Sequence, residues 1–324
     1  MPSTMTHSYF ACDVYDKLDK KSKNNISSLD NFKLYSQGVD PFMFYNFLIG
    51  KKAKYYAKLQ GLIHTTRTRE YFTNIIKYII DNDYANNKEL MTFLYGNICH
   101  YYLDMNVHPF IYYKTGKYKR SDKRTYKYNG KHQDMEYGID KYLIKERANT
   151  DVKEFKIHKE IFGNYNISLE VTDCIDYVIG KTYNVYDTGK IYNKSVKMMR
   201  QFFYLFNYDR FGIKKYIYSL LDIIRPDCFI KIKELSYADN DINMNYLNLD
   251  RKIWNHPCDM KEKYNYSFWD LYNMSIEQAL DTIKKVNLII EKKNIKMIKD
   301  VFKNYSYVTG KDCNLELELK YFEY

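Results

Sequence analysis

The chain has few of the residues that interrupt regular structure. Of its 324 residues, 12 are Gly and 5 are Pro. That scarcity argues against a loop-rich β-sandwich and against long disordered linkers. Cysteine is sparse and scattered: Cys12, Cys99, Cys174, Cys228, Cys258 and Cys313 include no CxxC pair. Neither a zinc knuckle, a thioredoxin-like site nor a disulfide framework is expected from such spacing. There is no GxGxxG or GxxxxGK[ST] signature and no internal repeat. No apolar run reaches transmembrane length, and the first seven residues carry no apolar secretory segment. The chain as it stands therefore reads as cytoplasmic; one from which a leader had been removed would look the same.

What is present is apolar, aromatic and basic. Hydrophobic residues make up 45% and aromatic residues 18%, with 37 Tyr. This is ample material for a buried core and permits one large domain or two. Polar–apolar runs of helical period dominate, so the fold is expected to be all-α. The formal charge of +11 suits phosphate-bearing substrates, nucleic acid or anionic lipid surfaces. It is spread along the chain rather than gathered in a tail, so it discriminates little among them.

The densest chemistry lies in His100-Tyr101-Tyr102-Leu103-Asp104-Met105-Asn106-Val107-His108-Pro109. On a helix, residues at i, i+4 and i+8 share one broad face, so His100, Asp104 and His108 line up. The two histidines are about 12 Å apart along the axis. That exceeds what two bonds of about 2 Å to one ion can span, so the pattern implies two metals with Asp104 between them. The helix is expected over 87–108, with Pro109 bending or ending it. Its apolar content, from Leu90 to Leu103, should place it deep in a bundle.

Other stretches supply further candidates. Gln37-Gly38-Val39-Asp40-Pro41-Phe42 predicts a tight turn that would hold Asp40 in a fixed orientation, either for chemistry or simply against backbone amides. His64 is read at the start of a helix over 67–82, where a lone histidine is more often a cap or packing residue. His132 and Glu136 form an HxxxE pair, one turn apart on one face and able to chelate an ion. Asp140 either orients a ligand histidine or faces solvent. The basic loop 114–131 is either exposed or the wall of a phosphate cleft. Five of the seven histidines lie between residues 7 and 132. Later in the chain, helices are expected near 194–207, 211–225 and 275–303, the last opened by Ser275-Ile276-Glu277-Gln278 with capping-box spacing. A first helix is expected over 7–21. Asn255-His256-Pro257-Cys258-Asp259 reads as a turn rather than a second metal site, and the tail, 305–324, as a short strand or a packed segment.

Taken in order, Thr6-His7, Gly38-Val39-Asp40-Pro41, Ile63-His64, His100-x3-Asp104-x3-His108-Pro109 and His132-x3-Glu136 resemble the zinc-dependent phospholipase C family. That family shares its all-helical fold and trinuclear zinc centre with the single-strand nucleases of the S1/P1 type. The resemblance implies one helical domain over 1–324, with 5–140 carrying the ligand motifs and 150–324 completing the packing. It implies that His64, His100 and Asp104 bind one zinc, with Asp40 bound to it or poised beside it. His108, His132 and Glu136 would bind a second. His7 would bind a third, bridged to the first by Asp104. The family completes this third site with a mature N-terminal Trp, and no Trp lies near the start of this chain. The secondary amine of Pro2, exposed by removal of Met1, is the nearest substitute. The implied activity is phosphodiester hydrolysis by metal-activated water, with Asp40 as the residue that orients or deprotonates it and two or three zinc ions as cofactors. Phospholipid at a membrane surface is the first substrate to consider. A single-strand nuclease or 3′-nucleotidase is the alternative within hydrolases, and an inactive metal-binding protein the alternative outside them. No obligate protein partner is implied.

Overall fold

In a computed structural model, the described residues are 4–46, 51–148, 150–224, 232–238 and 243–323. Among them the chain is a helical bundle with one small hairpin. The first helix, α1 (Thr4–Lys17), is followed by a short α2 (Lys20–Asn24) rather than running on to residue 21. The reason is local: the Asp19 carboxylate accepts from Ser22 N–H and starts a new helix. Ser28 does the same for α3 (Leu29–Tyr35), accepting from Asn31 N–H. After α3 the chain turns through Gly38 into a 3₁₀ segment, Asp40–Phe44, with Pro41 in its first turn.

The next pair, α4 (Lys51–Thr65) and α5 (Thr68–Asp81), revises the position read for His64. His64 lies in the last turn of α4, before the left-handed residue Arg67 that separates the two helices. Helix α6 (Lys88–Thr115) is the axis of the bundle. Asn87 caps it by accepting from Leu90 N–H. It is buried around nearly its whole circumference between Leu90 and Ile111 and packs most extensively on α12 (Phe268–Glu291). Pro109 does not end it. A proline removes the N–H that would bond to the carbonyl of Met105. Here Gly310, with φ of +63°, comes so close to that carbonyl that a Cβ would lie 2.8 Å from the Met105 oxygen. The tail thus packs over the interrupted turn, and the helix continues to Thr115.

Gly130, with φ of +79°, leads into α7 (Lys131–Arg147). The remaining helices are α8 (Ile157–Glu160), α9 (Leu169–Tyr183), α10 (Thr188–Phe202), α11 (Ile213–Ile224) and α13 (Ile298–Val301). Helix α9, capped by Ser168, has no counterpart in the sequence reading. Helix α12 begins seven residues before the expected Ser275: Ser267 and Asp270 form its capping box, and Ser275 is buried inside it, donating to the Leu271 carbonyl. Strands β1 (Trp254–His256) and β2 (Asp259–Tyr264) pair antiparallel around the Pro257–Cys258 turn. His256 is satisfied there, donating from Nε2 to the Thr309 carbonyl and accepting at Nδ1 from Cys258 N–H. The turn reading of 255–259 holds. One apolar core runs from Met5 to Tyr307 and takes in residues from most of these helices. Cys12, Cys99, Cys174, Cys258 and Cys313 are free thiols, and Cys228 lies outside the described residues.

Candidate metal centre

Four elements converge on α6. His7 comes from the first turns of α1, Asp40 from the 3₁₀ segment, His64 from the end of α4, and His132 and Glu136 from α7. With His100, Asp104 and His108 of α6 they form three groups, each bringing ligand atoms within 4.8 Å of one another. The groups are His7, His100 and Asp104; Asp40, His64 and His100; and His108, His132 and Glu136. All eight residues read from the sequence are therefore brought together. His100 serves two groups, and Asp104 Oδ2 also lies 3.5 Å from His64 Nε2 and 3.5 Å from His100 Nε2, while Oδ1 lies 3.2 Å from His7 Nε2.

The backbone decides which ring nitrogen each histidine presents. His64 Nδ1 donates to the Gln60 carbonyl at 2.9 Å, His100 Nδ1 to the Ser36 carbonyl at 3.0 Å, and His108 Nδ1 to the Tyr307 carbonyl at 2.9 Å. A carbonyl only accepts, so each Nδ1 carries a proton, and in the neutral ring each Nε2 keeps its lone pair. His64 Nε2 and His100 Nε2 then face each other at 3.1 Å. Two lone pairs at that distance repel unless a metal ion or a proton lies between them. His7 Nε2 and both oxygens of Asp104 are likewise buried without a hydrogen bond. Orphaned buried acceptors are costly, and this cluster is unexplained by protein partners alone. The residues present fit divalent metal: imidazole and carboxylate are ordinary zinc donors.

The electrostatics differ from ring to ring: burial opposes protonation of His64, but Asp104 and Asp40 beside it outweigh that and raise it above the usual histidine value. Burial drives His100 well below the usual histidine range, as do its neighbours His7 and His64, so its ring is neutral and able to ligate. Burial raises Asp40, opposed by His64 but reinforced by Asp104. Asp104 is held well below the usual carboxylate range despite its burial, with the rings of His108, His100, His64 and His7 all packed about its oxygens. Glu136 falls to about 2 against the effect of burial, with the His132 and His108 rings beside its carboxylate among the causes.

Gly38 sets the closest approach. Its φ is +54°, and a Cβ there would lie 2.5 Å from His100 Cδ2. Only glycine lets this turn lie against the ligand ring. Gln60 Nε2 donates to Asp40 Oδ1 at 2.7 Å and fixes the carboxylate.

Two supports escaped the sequence reading. Asp140 neither contacts a ligand histidine nor faces solvent. It is fully buried and accepts from Met5 N–H, Thr6 N–H, Thr6 Oγ1 and Tyr237 Oη, between 2.6 and 3.1 Å. It thereby holds the otherwise unpaired first turn of α1 that carries His7. The second support is the tail. Tyr307 supplies the carbonyl for His108, while Tyr307 N–H and Ser306 Oγ donate to the His64 carbonyl. Pro2, the proposed substitute for the terminal ligand, lies outside the described residues.

His132 is the most exposed member of the cluster, its side chain 25% accessible, whereas the other seven are 8% or less. Approach from solvent is therefore from the α7 side. A recess of about 180 Å³ opens nearby on α7, walled by Lys114, Lys131, Asp134, Asn245 and Tyr246. Of the basic loop over 114–131, the middle (117–127) is largely exposed while Thr115, Gly116 and Tyr128 are buried, and Arg124 is engaged by Asp122.

An all-α bundle with clustered histidines and carboxylates defines a metal-dependent hydrolase of the phospholipase C and P1-nuclease architecture. The family model described as zinc-dependent phospholipase C matches residues 6–193, more than half of the chain, and the chain belongs to that family. It is a zinc-dependent phosphoesterase with two to three candidate zinc sites. No curated protein and no solved structure matches it significantly. The match ends at α10, so the tail that orients His64 and His108 lies beyond it. No helix among the described residues is long and apolar enough to cross a membrane.

Proposed function

We propose that the chain hydrolyses the headgroup phosphodiester of phospholipids. His64, His100 and Asp104, with Asp40 beside them, would hold one zinc; His108, His132 and Glu136 a second; and His7, with Asp104 as bridge, a third. Zinc in such a set supplies water that ionises near neutral pH and positive charge against phosphate oxygens. Asp40 is the general base or orienting residue: burial makes it the more basic of the two central carboxylates, and Gln60 fixes one of its oxygens. The substrate enters from the His132 side, where the cluster is least covered. The observation that carries this reading is the confrontation of bare His64 and His100 nitrogens beside the buried Asp40 carboxylate.

The test is an assay of the zinc-loaded chain on phosphatidylcholine, on single-stranded DNA and on 3′-nucleotides. Release of phosphocholine in preference to nucleotide products is expected; preferential cleavage of DNA would replace the lipid reading with a nuclease. His108→Ala should lower both bound zinc and hydrolysis by at least about tenfold. Unchanged zinc content and rate would remove His108 from the centre.

A further inference from the structure

Helix α11 is packed with its apolar side outward. Ile213, Tyr216, Ile217, Leu220, Leu221 and Ile224 recur at the spacing that normally turns toward a core. Here they are exposed, Tyr216 to 69% and Ile224 to 74%, while Tyr218 and Asp222 face the protein. Phe211, in the preceding turn, is 80% exposed. Among the described residues, ten of the twenty-five exposed large apolar side chains fall between Tyr204 and Ile224. A contiguous patch of this kind marks an interaction surface.

The patch is braced and carries little negative charge. Asp209 turns inward and accepts from Lys214 N–H, Lys215 N–H and Ser236 Oγ, capping α11. Lys214 Nζ ties the helix to the carbonyls of Leu205 and Tyr208. Asp222 accepts from the backbone of Ile232 and Lys233. No exposed carboxylate lies between residues 201 and 224, whereas Arg210 is exposed and paired with Glu154. The patch is also linked to the open end of the metal cluster. Glu234, one residue beyond the backbone that Asp222 holds, sits against Asp134, which lies two residues after His132 on α7.

We propose that α11, with Phe211 and Tyr204, is an interfacial helix that docks this enzyme on an anionic phospholipid surface. The described part of the helix is about 18 Å long, with an apolar face suited to lying in a bilayer interface. The charge of +11 favours an anionic surface and disfavours a second copy of the same chain. The inference rests on the phospholipid reading of the site, and it places lipid attachment outside the segment that the family model matches.

The zinc-loaded full chain is floated with vesicles of phosphatidylcholine, with and without phosphatidylserine, and assayed on those vesicles and on a short-chain, monomeric phosphatidylcholine. The chain should float with the phosphatidylserine vesicles. The Phe211→Ser/Tyr216→Ser/Leu220→Ser variant should lose at least about tenfold in both partition and vesicle hydrolysis, given the apolar area removed, and keep its rate on the monomeric lipid. Tyr216→Glu alone should act in the same direction and serves if the triple variant melts early. Equal flotation of wild type and variants, or none by wild type, overturns the docking role even if monomeric lipid is cleaved. Docking without cleavage of either lipid overturns the proposed substrate instead. A concentration-dependent dimer abolished by Tyr216→Glu, with no vesicle binding, assigns the face to a second copy and overturns the proposal.

Discussion

At the scale of single residues, the side chains that cluster were legible and the groups that hold them in place were not. Histidine and carboxylate spaced four apart on a helical pattern announce a shared face, and that suffices for His100, Asp104, His108, His132 and Glu136. Their orientation comes from the carbonyls of Gln60, Ser36 and Tyr307, and every residue type carries a carbonyl. Nothing in the sequence marks those three. Asp140 was visible as a carboxylate but not as the cap of a helix 134 residues away. Its four accepted hydrogen bonds are charge-assisted and buried, so Asp140→Asn should cost roughly 2–4 kcal/mol. Because the cap holds the turn bearing His7, zinc content should fall as well. Melting and metal analysis of the same preparation separate the two effects: lowered stability with full zinc would confine Asp140 to a folding role. Gly38→Ala meets both a left-handed φ and the His100 ring, and should destabilise by about 2 kcal/mol or more. Asp104→Asn should lower zinc content more than either Asp40→Asn or Glu136→Gln, because only Asp104 reaches His7, His64 and His100 together. Equal losses in the three variants would deny it the bridging role.

At the scale of elements, the reading succeeded where one face is strongly apolar and failed where it is not. Helix α5, with Tyr71, Phe72, Ile75, Ile76 and Ile79 buried, was found nearly to its ends. Helix α4 buries only Leu59, Gln60, Ile63 and His64, and its lysine-rich first half gives little periodic signal. His64 was therefore assigned to the wrong helix, although it does lie with Asp40 and His100. The start of α12 was misread because Ser275 and Ser267 both stand three residues before a polar acceptor. The burial of Phe268 and Leu271 settles the choice, and burial is not local information. At the true cap, burial raises Asp270, but bonds from Ser267 N–H and hydroxyl outweigh it and lower the pKa. A carboxylate lowered in the folded state stabilises fully above its unfolded value of about 3.9 and loses that contribution as pH falls through the folded value. Asp270→Asn should thus cost about 1 kcal/mol near pH 7, and its difference from wild type should close below about pH 4. Denaturant midpoints at the two pH values would show it; a constant difference would mean that the charge is not what matters.

At the scale of the whole molecule, the metal cluster sits where helices α1, α4, α6 and α7 and the 3₁₀ turn meet, and the tail closes over it. These elements share an apolar core, yet at their junction they present mutually repelling acceptors. A protein folded this way without metal carries the desolvation cost of those groups with no compensation. Bound zinc turns the same residues into cross-links between distant parts of the chain, so the ions should be structural as well as catalytic. Binding to the folded state alone adds about 2.7 kcal/mol at a hundredfold excess over Kd for each site. A chain of this size should then lose roughly 4 °C in Tm per site on chelation, recovered by returning zinc. Exchange of the amides that hold the ligands, Tyr307 N–H and Thr6 N–H in particular, should accelerate with it, whereas that of the α5 interior should change far less. Uniform acceleration across the chain would mean that the cluster governs global stability. A Tm indifferent to both chelator and zinc would mean that the lone pairs of His64 and His100 are reconciled by protons instead, and the metal centre would have to be abandoned.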